Sequence, residues 1–310
     1  VIIAKEIKSG RIAAMAACAV NELYIEGKPI KTGYLFNLRV AKLFRKRFNL
    51  FSKGFDFLFE YFHKKGVQTF FTSILDDNLE STRFLEKQRP GMPQYRHIGA
   101  FVVYGLCHKS LLPLTQNITF KRSSINEISE LISFLNNEGS RNNFFPVIKE
   151  ENLLNDKRFP KIDDFYCLYD LHGKIIAAGA LWNQSDFKQY KVKGYKGYLS
   201  ILQPISFLFP LFGYPALPGK EENLNILTLS FWAVSKEHEK YFIFFIKCLQ
   251  TVIPKSHILI VGVDFLSANN KELKKNGGFS YKSKIYEVIN KKSNPENISN
   301  KSFYIETGRL

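Results

Sequence analysis

Cysteine is scarce and scattered in this chain of 310 residues. Cys18, Cys107, Cys167 and Cys248 lie far apart in apolar surroundings, with no CxxC pair and no Cys/His cluster. That argues against a disulfide-stapled scaffold and a zinc module, and for a reducing, cytoplasmic setting. Histidine supplies no metal site either. His63, His97, His108, His172, His238 and His257 are isolated, none at metal-ligand spacing and none beside a nucleophile. The sequence has no Ser/His/Asp signature, no P-loop and no GxGxxG fingerprint, which leaves no basis for nucleotide hydrolysis. Unbroken apolar runs are missing too. The longest, Leu199 to Leu217, is interrupted by Pro204, Pro210, Gly213 and Pro215, so it makes a poor membrane span. No signal peptide is visible, and the chain opens on Val1 in what reads as a strand, so a fragment is expected.

What the chain does contain is a globular composition, 45% hydrophobic and 23% charged, with length for two domains. Aromatic residues make up 15%, carried by 29 Phe and 15 Tyr. The net charge of +16 favours an anionic partner: a phosphorylated cofactor, nucleic acid or a membrane surface. The charge is spread along the whole chain, which fits a role in solubility equally well.

Strand patterns cover Val1 to Ile7, Ile12 to Tyr24 and Ile30 to Val40, punctuated by Gly10 and by Glu26-Gly27-Lys28-Pro29. A helix of period 3.6 follows from Leu50 to Lys65, with Phe51, Phe55, Leu58, Phe59 and Phe62 on one face. Val67 to Leu75 reads as a buried strand, Asp76-Asp77-Asn78 as the start of a short helix, and Tyr95 to Tyr104 as another strand. A linker is expected over 107–116. The second unit opens with the strand Asn117 to Arg122 and the capping-box spacing Ser124-Ile125-Asn126-Glu127. A hairpin from Phe165 to Trp182 comes next, then an insertion over 183–223. The strand Leu224 to Val234, the helix Lys236 to Val252, the strand His257 to Val263, the helix Asn269 to Lys275 and the strand Phe279 to Ile289 complete the unit. Lys291 to Lys301 reads as a mobile segment before a last strand, Ser302 to Glu306. The element order repeats, which predicts an α/β fold of two modules, 1–106 and 117–310. Each has a mixed, mostly antiparallel central sheet flanked by helices.

The segment Tyr34 to Phe62, YLFNLRVAKLFRKRFNLFSKGFDFLFEYF, carries the most information. A strand ending at Val40 runs through Arg45-Lys46-Arg47 into a helix. A helix N-terminus has unpaired N–H groups and a positive dipole end, so such a turn can hold a pyrophosphate, or can be a solvated basic loop. With this turn, the chain resembles the GNAT superfamily, the Gcn5-related N-acetyltransferases, as a tandem protein lacking the N-terminal strand and helices of its first module. Arg45-Lys46-Arg47-Phe48-Asn49-Leu50 stands in the slot of the family's R/Q-x-x-G-x-G/A turn, and Leu38-Arg39-Val40 in that of its L-x-V strand end. Asn78, Ser81, Phe84-Leu85 and Lys87 match its N-x-x-A-x-x-L-Y-x-K helix. In the second unit Phe231-Trp232-Ala233-Val234 stands for the strand end, and Gly278-Phe279 for the family's G-F. Both turn glycines are replaced, by Phe48 and Leu50. The second turn, Ser235 to Lys240, carries two carboxylates, and the family's tyrosine position holds Leu85 and Lys274.

The resemblance implies an N-acyltransferase that moves an acyl group, acetyl first among candidates, from coenzyme A to a small-molecule or protein amine, without metal. The first unit is the expected coenzyme binder, through Leu38, Arg39, Val40, Arg45, Lys46, Arg47, Phe48, Asn49, Leu50, Asn78 and Ser81. Backbone N–H groups near Leu38 to Val40 would polarise the thioester carbonyl. Glu22, Tyr24 and Asn37 are the candidate catalytic residues, with Glu22 the plausible base. For Glu22 and Tyr24 the plain alternative is polar residues near the end of a half-exposed strand, and for Asn78 it is a helix N-cap. In the insertion, Gln184, Lys188 and Tyr195 are candidate acceptor-site residues, against simple packing. Two other readings stay open: an aminoacyl-tRNA-dependent transferase on the related tandem fold, suited by the +16 charge, and a non-catalytic acyl-CoA-binding remnant.

Overall fold

A computed structural model of the chain describes residues 1–87, 89–111, 117–275, 278–290, 298 and 302–309. In chain order the first elements are β1 (Ile2–Lys5), β2 (Ile12–Ile25), β3 (Lys28–Val40), α1 (Phe48–His63), β4 (Thr69–Leu75), α2 (Leu79–Glu86) and β5 (Gln94–Leu106). They are followed by β6 (Thr119–Arg122), α3 (Ile128–Gly139), α4 (Glu150–Asn155), β7 (Phe165–Tyr169), β8 (Ile175–Trp182) and α5 (Tyr198–Leu202). The last are β9 (Ile226–Val234), α6 (Phe242–Val252), β10 (Ile258–Asp264), α7 (Ala268–Lys275) and β11 (Phe279–Ile289). The expected mobile segment 291–301 lies almost wholly outside the described residues, as do 112–116 of the expected linker.

Two compact units result, and neither is a contiguous stretch of chain. The first comprises Val1–Phe101, Asn142–Val147 and Lys282–Phe303, and the second Val102–Arg141, Ile148–Tyr281 and Tyr304–Leu310. The modules expected from the sequence, 1–106 and 117–310, break only once.

In the first unit β1, β2 and β3 form an antiparallel meander, β3 pairs with β4 in parallel, and β11 runs antiparallel on the far side of β4. The parallel pair needs a crossover, and α1 supplies it. Phe51, Phe55, Leu58, Phe59 and Phe62 recur at helical spacing and pack with Leu35, Val67, Phe70, Met92 and Val288. Each such phenylalanine contributes about 1.5–3 kcal/mol by burial. Gly66, at φ +81, turns the chain out of the helix. Asn142–Val147 also join this unit, which the sequence pattern does not reveal. Tyr24 N–H donates to the Phe145 carbonyl at 2.8 Å and Phe144 N–H to the Tyr24 carbonyl at 2.7 Å.

In the second unit β6, β7, β8 and β9 are antiparallel neighbours, and β9 pairs with β10 in parallel across α6. Phe242, Phe245, Ile246 and Leu249 of α6 fill the core with Leu168, Ile176, Leu229, Leu259 and Val261. The last expected strand, Ser302 to Glu306, does not form. Among the described residues its backbone makes one bridge, Asn143 to Phe303 within the first unit, and the chain then tightens into a 3-10 turn over Thr307–Arg309.

Candidate functional site

The register of the first meander slips once. Met15 faces Arg39 and Ala17 faces Phe36, so Ala16 alone opposes Asn37 and Leu38. This β-bulge takes the backbone of two residues out of the ladder. Asn37 absorbs the kink at φ +54, a left-handed conformation that asparagine tolerates better than most side chains. Just before the bulge, β3 and β4 are paired at Thr32 to Tyr34. Beyond it side chains take over: the Thr72 hydroxyl donates to the Leu35 carbonyl at 2.7 Å, and the Tyr34 and Ser73 hydroxyls meet at 2.8 Å. Where the two strands part, a cleft of about 270 Å³ opens. Its walls include Leu35 to Leu38, Thr72 to Leu75, Phe55 and Leu58 of α1, Asn78 ahead of α2, Ser81 and Leu85 within it, and Tyr95.

Four of the residues expected from the sequence thus share one cleft: Asn37, Leu38, Asn78 and Ser81. Asn78 has a structural duty there, because its side chain accepts from Ser81 N–H at 3.2 Å and caps α2. Leu85, at the position where the family often has tyrosine, lines the same cleft. An apolar pocket of about 50 Å³ adjoins it, sharing Leu38, Phe55 and Leu58 and adding Val40 and Leu50.

The basic turn is built without positive φ at any residue from Ala41 to Leu50. Lys42–Phe44 form a 3-10 turn, and Arg47 precedes the first residue of α1 without giving it a side-chain cap. Arg39, Arg45 and Lys46 are exposed, with Arg45 Nε reaching back to the Val40 carbonyl at 3.4 Å. Arg47 pairs with Glu6 at 3.0 Å and stacks over Phe44. Asn49 and Leu50 line a cleft of about 430 Å³ between β1 and α1, together with Arg47 and Lys53, and it shares Leu50 and Gly54 with the apolar pocket. The side chain of Phe48 lies outside the described residues.

Glu22 and Tyr24 stand elsewhere. They lie on β2 five and seven residues beyond Ala17, roughly 17 Å or more along the strand from the bulge. There they carry the 143–147 segment: the Glu22 carbonyl accepts from Val147 N–H at 3.0 Å. Burial, reinforced by the Glu22 charge, raises the Tyr24 hydroxyl above its ordinary pKa. Among the described residues no carboxylate or histidine lines the cleft at Asn37.

The second unit repeats the bulge. Ala178 faces Ala233 and Ala180 faces Ser230, so Gly179 opposes Phe231 and Trp232, and Phe231 sits at φ +49. Here the chain fills its own site. Phe231 N–H donates to Glu306 Oε2 at 2.7 Å, Trp232 N–H to the Tyr304 hydroxyl at 3.1 Å, and Gly308 N–H to Glu306 Oε1 at 2.9 Å. Tyr304 donates to Glu306 at 2.8 Å, and burial with the adjacent carboxylate holds its proton far above the ordinary phenol range. The turn ahead of α6 is answered from within as well, since Lys236 N–H donates to the buried Glu138 carboxylate at 3.2 Å. These contacts could not be read from sequence, because Glu306 and Phe231 are 75 residues apart.

Of the expected acceptor-site residues, Gln184 and Lys188 line one pocket of about 130 Å³ with Tyr190, Asn223 and His257. Gln184 is buried and donates to the Gly308 carbonyl at 2.7 Å. Tyr195 lies apart and donates to the Pro218 carbonyl at 2.9 Å, which ties the insertion to itself. Among the described residues no group of three or more His, Cys, Asp or Glu could hold a metal ion.

No known family model matches the chain, and no curated protein matches it by sequence. Solved structures do match by fold. The N-myristoyltransferase of Saccharomyces cerevisiae with bound myristoyl-CoA superposes with a TM-score of 0.52 at 10% identity, over 97% of this chain and 75% of that one. The same enzyme with myristoyl-CoA and inhibitors gives 0.54 at 11%, over 97% and 73%. A GCN5-related N-acetyltransferase from Sphaerobacter thermophilus gives 0.55 at 12%, over 90% and 78%. The chain therefore has the fold of the GCN5-related N-acyltransferases: mixed α/β units with a mostly antiparallel sheet flanked by helices. At these identities the likeness speaks for fold alone.

Proposed function

We propose that the chain is an acyl-CoA-dependent N-acyltransferase built of two GNAT-like modules, with the coenzyme on the first unit. One observation carries the reading: the same bulge occurs twice, and only in the second unit do described residues of the chain itself fill it. The second bulge shows what the geometry accepts, a carboxylate oxygen and a hydroxyl oxygen. At the first bulge the corresponding N–H groups of Asn37 and Leu38 border an open cleft, where a thioester carbonyl oxygen would find the same donors. Arg39, Arg45 and Lys46 supply positive charge for phosphates near the start of α1. The basic turn lacks the family's glycines, so side chains replace close backbone approach there. The apolar pocket beside Leu38 has room for an acetyl group, which favours acetyl-CoA.

Catalysis on this reading is positioning plus carbonyl polarisation. With no carboxylate or histidine among the described residues lining the cleft, the acceptor amine gives its proton to water, and the amine's own pKa governs the pH profile. Glu22 and Tyr24 are too far from the bulge for direct proton transfer. The cysteines of the described fold are unpaired, in keeping with a reducing, cytoplasmic setting.

Calorimetric titration with acetyl-CoA, desulfo-CoA and a longer acyl-CoA tests the assignment. Saturable binding is expected, weakened about three- to tenfold by Arg45→Ala and by Lys46→Ala, as for exposed charge-assisted contacts. Absence of binding at every acyl length would overturn it.

A further inference from the structure

Tyr198 to Leu217, YLSILQPISFLFPLFGYPAL, is a run of residues without a single charge. A run of that composition belongs in a core, yet Ser206 is the only residue of it that is buried. Phe207 is 69% exposed, Leu211 78% and Phe212 75%. Single exposed apolar residues are ordinary, but a contiguous ridge of them marks an interaction surface. The ridge is an ordered element. α5 leads directly into a 3-10 helix, Gln203–Phe212, which Gly213 closes at φ +78 by donating to the Pro210 carbonyl. It therefore presents side chains and keeps this backbone hydrogen-bonded.

Beside the ridge lies a wide cleft of about 610 Å³, with Pro210 to Tyr214 on one wall. Opposite them are Cys107 to Leu111 and Lys255. Lys109, Lys255 and His108 line it, and among the described residues no carboxylate does. Three further exposed lysines, Lys191, Lys193 and Lys196, lead into the ridge. The acids that follow it are partly engaged with their own loop, Glu222 accepting from Gly219 N–H at 2.6 Å.

Aromatic and aliphatic side chains next to a cationic cleft match one environment in particular, the boundary between anionic headgroups and acyl chains. We propose that this ridge docks the protein on an anionic membrane surface. Phe207, Leu211 and Phe212 enter the headgroup boundary, while Lys109 and Lys255 hold lipid phosphates. The ridge lies on the surface and does not span, since no helix of the described residues is long and apolar enough to cross a membrane. The inference stands on the second unit alone and does not depend on the acyltransfer reading.

Flotation of the full chain with phosphatidylcholine vesicles, with and without phosphatidylserine, tests it. Binding is expected only to the vesicles containing phosphatidylserine, and it should fall as salt rises. A Phe207→Ser, Phe212→Ser double variant should bind at least about tenfold more weakly, and a Lys109→Gln, Lys255→Gln variant about an order of magnitude more weakly. Thermal unfolding of both variants should match the parent, because the residues changed are not core. No flotation of the parent, or equal flotation of the variants, overturns the proposal. A parent dimer that the Phe variant turns into a monomer, without vesicle binding, would instead make the ridge an interface between copies. A lowered melting temperature in the Phe variant would make it part of the core, and so also overturn the proposal.

Discussion

Asn37 and Phe231 occupy the same place in two meanders, and both sit at positive φ without being glycine. For Phe231 the cost is met by what surrounds it: the Glu306 carboxylate on its N–H, the Phe159 ring at 4.2 Å and the Arg309 guanidinium at 5.0 Å. Asn37 is exposed, and asparagine tolerates the left-handed region. Replacing it by valine should therefore cost about 1–2 kcal/mol, because a β-branched residue strains there, while glycine should be neutral or slightly stabilising. Denaturant unfolding measures both. If the bulge positions the coenzyme, acetyl-CoA affinity should fall in Asn37→Val and persist in Asn37→Gly. Equal affinity in the two would separate the bulge from the site.

Among the elements, the start of α3 shows how local rules survive in the fold. The Ser124-Ile125-Asn126-Glu127 spacing forms a capping box in the 3-10 turn that leads into the helix, with Ser124 N–H donating to Glu127 Oε2 at 3.0 Å. A bond from Lys121, then those from Ser124, lower the Glu127 carboxyl below its ordinary pKa. A depressed carboxylate stabilises the fold above its unfolded pKa, and that contribution is lost as pH falls through the folded value. Glu127→Gln should thus lower stability by about 1 kcal/mol at neutral pH, a difference that closes below about pH 4. Melting curves of parent and variant at several pH values check this. The Gly278-Phe279 pair is another element-level signal with a steric cause. Gly278 lies at φ +100, and a Cβ on it would run into the Gly105 carbonyl, while the Phe279 ring occupies the place of a Cβ on Gly105.

For the whole molecule, the last described residues are tied to a strand far away in sequence. Glu306 accepts from Phe231, Tyr304 and Gly308, so Glu306→Ala would remove the acceptor of three buried donors and cost about 3–4 kcal/mol. Acetyl-CoA affinity should be unchanged in that variant at temperatures where it stays folded. Calorimetry beside a thermal melt would show whether stability and binding divide in this way. The sequence by itself determined most of the elements, though not α4, α5 or the absence of a strand over 302–306. Apolar periodicity placed α1 and its buried phenylalanines, alternation and turn residues placed β2 and β3, and the repeated order set the fold class, because these follow from contacts a few residues apart. Tertiary structure alone decided which strand ends are open. It moved 142–147 and 282–303 into the first unit, set Glu22 and Tyr24 far from the bulge, and filled the second bulge with Glu306. It also left the apolar run Tyr198 to Leu217 exposed where composition alone would have buried it. Such outcomes depend on which distant residue satisfies a given donor or covers a given face, and no local pattern records that.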